Sequence, residues 1–223
     1  MKKVIYIIPT PIGNLEDITL RAIRLLKESD LVLAEDTRVT KKLFNHYSIS
    51  TKMQSHHAFN EHKKIDSIIN QINQGVQVSL VSDAGSPAIS DPGHLIIREC
   101  IKNNITVQCL PGATAFVPAL IQSGLPCDRF MFEGFLPVKK GRTKRLLDLL
   151  NNTKTTVIYE SPHKILKTLS ELKKLCPDRG VVVLKELTKI YENSYRGTIE
   201  EVYEAIKVST VKGEFVIVLS ASK

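Results

Sequence analysis

Val4-Ile5-Tyr6-Ile7-Ile8-Pro9-Thr10-Pro11-Ile12-Gly13-Asn14 is the stretch on which the reading of the fold turns. Its first five residues form an unbroken apolar run of β-branched and aromatic side chains, which reads as a strand buried on both faces. Pro9 ends the run, because proline brings no N–H to a ladder. Five residues are too few for the apolar core of a signal peptide, although Met1-Lys2-Lys3 stands before them. A strand with two buried faces belongs in a parallel sheet covered by helices on each side.

Working outward, Asp17 is a plausible N-cap for a helix to residue 27, with Leu20, Ile23 and Leu26 turned inward. Residues 31–34 read as a strand and 40–47 as a helix. Residues 62–74 read as a helix with Ile65, Ile68, Ile69 and Ile72 on one face, stopped by Gly75. A strand over 76–81, a long loop over 82–93, a helix over 95–103 and a strand over 105–110 follow. Alternating strands and helices imply α/β architecture with a mainly parallel sheet. Pro111-Gly112 is the expected boundary, giving domains of residues 1–112 and 113–223. In the second, helices are expected over 113–122, 144–150 and 163–175, with Ile165, Leu166, Leu169 and Leu172 inward. Strands are expected over 130–133, 155–159, 181–184 and 215–219. These are closer together and less regularly alternated, so a mixed sheet is expected there. No internal repeat or low-complexity tract is present.

Of 223 residues, 43% are hydrophobic and 24% charged, the balance of a globular chain with a sizeable core. The net charge of +8 is uneven. Residues 1–112 carry 13 basic and 11 acidic side chains, residues 113–223 carry 18 and 12. A basic second half suits a polyanionic partner, and it suits a merely solvated surface equally. Cys100, Cys109, Cys127 and Cys176 make no C-x-x-C pair and no zinc spacing, so reduced structural thiols in the cytoplasm are the simplest account. No stretch approaches a membrane span. The glycine signatures of dinucleotide and P-loop sites, and the G-x-S-x-G elbow, are absent from the sequence.

Six segments leave predicted strand ends, where open α/β sheets bind ligands. In Pro9 to Leu15, rigid prolines and Gly13 suit close approach of a ligand, and suit an ordinary turn as well. Ser82 to Gly93 is twelve residues of small side chains, longer than the usual range of about two to six. Asp83 or Asp91 there suits an amine or a ribose hydroxyl. Asp91 before Pro92 also reads as a helix N-cap, which leaves the loop's length unexplained. Pro111-Gly112-Ala113-Thr114-Ala115 suits a flat nucleoside or close helix packing. Lys139, Lys140, Arg142, Lys144 and Arg145 are five cations within seven residues, preceded by Phe132 and Phe135. Such cations hold phosphates beside aromatic faces that stack bases, and such runs are also often only exposed surface. Tyr159-Glu160-Ser161-Pro162-His163 offers Glu160 and His163 as proton acceptors, with Ser161 and Pro162 reading as a helix start. Lys185-Glu186-Leu187-Thr188-Lys189 is the sixth, with a polar strand exit as the plain alternative.

These strings, in this order, resemble the tetrapyrrole-methylase superfamily, and within it the branch that methylates small-subunit ribosomal RNA. The strings are PTPIGNLEDITLRA, AEDTR, SDAGSPAISDPG, PGATA, FEGFLPVKKGR, YESPHK, KELTK and KGE, and they span almost the whole chain. The resemblance implies two α/β domains, a homodimer, and S-adenosylmethionine held in a cleft between the domains. It implies methylation of the ribose 2′-hydroxyl of a cytidine in the ribosomal decoding centre. It further implies cofactor contacts at Ile12, Gly13, Ser86, Ile89, Thr114, Ala115, Tyr159, Leu187 and Gly213, and Asp83 joins them as the candidate acceptor for an amine or ribose hydroxyl. The family usually has Thr where Ser86 stands and Pro-Ser where Ala113-Thr114 stand, and both changes keep a small hydroxyl. Ala58 stands where Glu is common. Many members also continue into a small C-terminal extension beyond Lys212-Gly213-Glu214, so a short form is expected.

A ribose hydroxyl is a poor nucleophile, so a base or a lysine near it would help. Asp36, Arg38, Glu160 and Lys189 are the expected catalytic residues, each at or just after a predicted strand end. No metal is required by this chemistry. The expected partner is ribosomal RNA or the assembled small subunit, with no membrane. A methyltransferase acting on a tetrapyrrole-like small molecule, and a non-catalytic RNA-binding module, are the two rival readings.

Overall fold

The computed structural model describes residues 3–57 and 61–222. Ala58 lies outside them. The chain divides into two compact units, Met1–Thr114 and Ala115–Lys223, the division falling two residues beyond the Pro111-Gly112 turn.

In the first unit β1 (Val4–Ile7) lies inside a five-stranded sheet with β2 (Leu31–Ala34), β3 (Met53–Ser55), β4 (Val78–Val81) and β5 (Thr106–Cys109). The order is β3-β2-β4-β1-β5 and every pairing is parallel. The alternation of each strand decides which helix it meets. Ile5, Ile7, Leu31, Leu33, Val78 and Leu80 pack against Ile65, Ile68, Ile69 and Ile72 of α3 (Glu61–Asn73) and Ile96 and Cys100 of α4 (His94–Lys102). Val32, Ala34, Ile8 and Val81 face Ala22, Leu25 and Leu26 of α1 (Leu20–Glu28) and Phe44 of α2 (Thr37–His46).

Several expectations are corrected here. Asp17 does not cap α1; it closes a short 3-10 turn over Leu15–Asp17, and the Thr19 hydroxyl accepts the Ala22 N–H instead. The helix therefore buries Ala22, Leu25 and Leu26, and Leu20 is left exposed. The second helix begins at Thr37 rather than residue 40, because Asp36 accepts the Arg38 N–H and caps it. Asp91 and Pro92 do not start α4. The Pro92 carbonyl accepts the Ala88 N–H, and Gly93 at φ +135° is the cap, with no room for a Cβ beside Leu80.

The second unit has its own sheet of β6 (Phe130–Phe135), β7 (Thr155–Glu160), β8 (Gly180–Lys185), β9 (Asn193–Thr198) and β10 (Phe215–Leu219). The order is β6-β7-β10-β8-β9, with β6 and β7 parallel and the other pairs antiparallel. One face meets α6 (Arg142–Leu150), α7 (Ile165–Leu175) and α8 (Ile199–Lys207) through Leu149, Leu169, Leu172 and Val202. Leading into this sheet, α5 (Phe116–Ser123) packs on β7 and β10. Ser161 and Pro162 form a turn rather than the start of α7: the Ser161 carbonyl accepts the N–H of both Lys164 and Ile165. Sequence reading had no place for β3, β9 or α8. The last carries a signal that was available, Thr198-x-x-Glu201, which forms a capping box.

Candidate active site

In a parallel sheet every strand delivers its C-terminal loop to the same edge. Three such loops of the first unit meet there. Thr10 and Gly85 exchange both backbone hydrogen bonds at 2.9 Å, an isolated antiparallel bridge that joins the loop after β1 to the loop after β4. The Thr10 hydroxyl donates to the Ser82 carbonyl at 3.1 Å, and the Ser82 hydroxyl donates to the Gly85 carbonyl at 3.1 Å. The third loop closes on both: the Ser86 hydroxyl donates to the Ala113 carbonyl at 3.1 Å. Close packing there demands glycine. A Cβ on Gly112 would lie 2.6 Å from the Cβ of Pro9, and one on Gly85, at φ +85°, would lie 3.3 Å from Ile12.

The second loop is strained where ligand loops often are. Ala88 and Ser90 hold φ of 69° and 65°, values that L-residues adopt at a cost. Ile89 between them is left exposed. Ile12 is buried behind the Gly85 turn, and Gly13 follows it into the loop.

Carboxylates gather at the same edge. The Asp36 N–H donates to Asp83 Oδ1 at 2.9 Å, and the Asp83 N–H to Glu35 Oε2 at 3.4 Å. Burial pushes Glu35 and Asp83 above the usual carboxylate range. Burial, then the charges of Glu35 and Asp83, pushes Asp91 up to about 7. Asp36 goes the other way, to about 2, because the Arg38 guanidinium bonds both its oxygens. Sequence reasoning passed over Glu35, although it stands beside Asp36 in the same strand exit.

In the second unit, Phe215 of β10 pairs with Glu160 of β7 and Lys185 of β8. That register brings Tyr159, Leu187 and Gly213 to one end of the sheet. The Tyr159 hydroxyl accepts the Phe116 N–H at 3.1 Å, Leu187 is buried, and Gly213 sits at φ +90° against Glu186. Thr114 closes the first unit and Ala115 opens the second, just ahead of α5.

Of the four expected catalytic residues, three have duties within the fold. Asp36 caps α2 and pairs with Arg38. Glu160 is buried, accepting from the Ser161 N–H at 2.9 Å and the Thr168 hydroxyl at 2.5 Å. Lys189 spans Glu186 at 2.9 Å and Glu214 at 3.0 Å. Burial opposes its charge, but the two carboxylates outweigh that and hold its pKa above the ordinary lysine value. Arg38 is 89% exposed.

Among the expected RNA-facing cations, Lys139, Lys140 and Lys144 are exposed, and Arg145 pairs with the buried Glu133 from a half-exposed position. Arg142 is different. It is 5% exposed and its guanidinium is spent inside: on Glu171, on the Thr168 hydroxyl at 2.7 Å and on the Pro137 carbonyl at 3.2 Å. It leaves the solvent-facing set. Among the described residues, no group of three or more His, Cys, Asp or Glu is placed to hold a metal ion, and no helix is long and apolar enough to cross a membrane.

This pair of α/β units, with glycine-tight loops on the first sheet's C-terminal edge, is the architecture of a methylase class. Residues 4–203 match the Tetrapyrrole (Corrin/Porphyrin) Methylases family, and the chain belongs to it. Within that class it is 47% identical to the ribosomal RNA small subunit methyltransferase I of Halalkalibacterium halodurans, over 99% of this chain and 77% of that protein. The fold is shared with a cobalt precorrin-4 methyltransferase of cobalamin biosynthesis, at TM-score 0.73 and 19% identity over 98% of this chain and 95% of that one. It is shared also with uroporphyrin-III C-methyltransferase from Thermus thermophilus complexed with S-adenosylhomocysteine, at TM-score 0.64 and 21% identity over 96% of each chain.

Proposed function

We propose that this chain transfers the methyl group of S-adenosylmethionine to the 2′-hydroxyl of a cytidine ribose in small-subunit ribosomal RNA, in the cytoplasm and as a homodimer. The observation that carries the proposal is the joining of three loops through Thr10–Gly85, Ser86–Ala113 and the Gly112–Pro9 contact. They present backbone rather than side chains, which suits a nucleoside ligand lying close against them. The relative's name supports the ribosomal substrate, and exposed Lys139, Lys140 and Lys144 support a phosphate-bearing one.

S-adenosylmethionine supplies a methyl group already activated on a sulfonium. The chain's own task is then alignment, exclusion of water and removal of a proton. Orientation alone contributes up to roughly 7–11 kcal/mol in favourable cases. Ile12, Gly13, Asp83, Ser86, Ile89, Thr114 and Ala115 are assigned to the cofactor, together with Tyr159, Leu187 and Gly213 at the end of the second sheet. Asp91, held up to about 7, suits proton acceptance at neutral pH better than Asp36, held at about 2. Arg38 is assigned to the substrate side as an exposed cation.

Calorimetry with S-adenosylmethionine tests the enzyme against the RNA-binding module: binding is expected, and no heat at millimolar cofactor removes the enzyme. Mass spectrometry of ribosomal RNA from cells with and without the gene tests the substrate. Loss of 2′-O-methylcytidine is expected, and an unchanged content turns the reading toward a small-molecule methyltransferase.

A further inference from the structure

A groove of about 170 Å³ runs along the first unit between the loop after β1 and helix α2. Thr10, Pro11, Ser82 and Asp83 form one side of it, Thr40 and Lys42 the other. Its far end is fixed by the Tyr47 hydroxyl, which donates to the Leu15 carbonyl at 2.6 Å. Small-molecule sites usually run from about 300 Å³ upward, so the groove is too small for a whole S-adenosylmethionine. It has room for on the order of ten waters, comparable to one sugar with its phosphate.

The polar groups of the groove differ in what they have left to offer. The Thr10 and Ser82 hydroxyls are spent on carbonyls of the joined loops. Asp83 Oδ1 is taken by the Asp36 N–H. Thr40 is not spent: the residue is 3% exposed and its hydroxyl has no hydrogen-bond partner among the described residues. A buried hydroxyl without a partner costs about 1–3 kcal/mol, and Thr40 lines the groove, so a ligand seated there is its simplest partner. Lys42 on the rim is exposed and forms no ion pair with any described residue. A carboxylate, an unspent hydroxyl and an unpaired ammonium together match a ligand with sugar hydroxyls and a phosphate.

We infer that this groove is a substrate subsite, in which Thr40 and Lys42 hold the sugar and phosphate of a nucleotide of the RNA being methylated. The inference rests on the reading above, and it gives Asp83 the wall between cofactor and substrate. Lys42 meets a phosphate oxygen as a point charge, and Thr40 supplies a hydrogen bond in either direction to a sugar oxygen.

The test uses small ribosomal subunits from cells lacking the gene as acceptor, with radiolabelled S-adenosylmethionine, and calorimetry with S-adenosylmethionine alone. Thr40→Val and Lys42→Ala are each expected to raise KM for the subunits by about tenfold, the loss of one good polar contact. They are expected to leave the Kd for S-adenosylmethionine within about twofold. Thr40→Ser, which restores the hydroxyl, is expected to recover KM. An unchanged KM in both variants overturns the inference, and so does a weakened cofactor Kd, which makes the groove part of the cofactor site. An unaltered chain that transfers no methyl group overturns the reading itself, and the inference falls with it.

Discussion

Replacing Arg142 by alanine is expected to destabilise the packing of α6 and α7 at the end of β7 rather than to weaken RNA binding. Arg142 is 5% exposed. Its Nε and Nη2 meet Glu171 at 2.9 and 2.7 Å, Nη2 meets Thr168 Oγ1 at 2.7 Å, and Nη1 donates to the Pro137 carbonyl at 3.2 Å. Thr168 in turn donates to Glu160, so the arginine anchors a buried chain that ties α6 and α7 to the end of β7. Removing one partner of a buried ion pair costs about 3–5 kcal/mol, most of it the charge left behind. Glu171 keeps 29% of its side-chain surface in water, which places the cost near the lower end, about 3 kcal/mol. For a chain of this length that corresponds to a fall of roughly 6–12 °C in Tm. Arg142→Lys keeps the charge and loses the planar fork, so it should recover only part of the loss. Urea unfolding followed by far-UV circular dichroism gives the stability, and titration against small-subunit RNA over a range of salt gives the charge count. An Arg142→Ala protein with the original urea midpoint, and a log–log salt slope shallower by about one, would refute the argument.

Neutralising the exposed Lys139, Lys140 and Lys144 together should do the opposite: stability nearly unchanged, RNA affinity weaker and its salt dependence flatter in a filter-binding titration. Gly112→Ala sets a methyl group 2.6 Å from Pro9 Cβ, a strain of about 1–3 kcal/mol that must displace one of the joined loops. Calorimetry should then show S-adenosylmethionine binding at least about tenfold weaker, and unaltered affinity would mean the loops do not hold it. Asp91 keeps its proton in the folded chain up to about 7, against 3.8 for an ordinary aspartate. Between those values the folded chain binds more protons than the unfolded one, so stability falls as pH rises through that window. Asp91→Asn should match the original near pH 4 and exceed it at pH 8 by about 1–2 kcal/mol, the full shift being reduced by solvent screening. Equal urea midpoints at pH 8 would count against a buried, crowded carboxylate.

The parts of this fold that were readable are those whose burial leaves a period in the sequence. Ile65, Ile68, Ile69 and Ile72 declared their helix, and residues 215–219 were found as Phe215–Leu219 without error because both neighbours cover that strand. Two of the four edge strands, β3 and β9, were missed for the converse reason. Met53–Ser55 and Asn193–Thr198 have one open flank, so polar residues are tolerated and no apolar alternation survives. Arg142 was misplaced by its company. Among four other cations it looks like surface, yet at i, i+4 and i+7 it shares a helix face with Leu146 and Leu149, a pattern visible only once the helix is started at residue 142. At the candidate site the loops were legible from their small residues and length. The partition of carboxylates was not, because whether Asp36 or Asp91 ionises depends on Arg38, Glu35 and Asp83, neighbours that only the sheet brings together.

The exchange of backbone bonds between Thr10 and Gly85 bears on how this site can change over time. An insertion between Ser82 and Gly85, or between Ile8 and Thr10, would shift one loop out of step with the other and break the latch. Residues 86–92 lie beyond it, so added or lost residues there leave the latch in place. Lineages of this protein are therefore expected to keep the spacing up to Ser86, whose hydroxyl ties the third loop, and to confine changes of loop length to the residues after it.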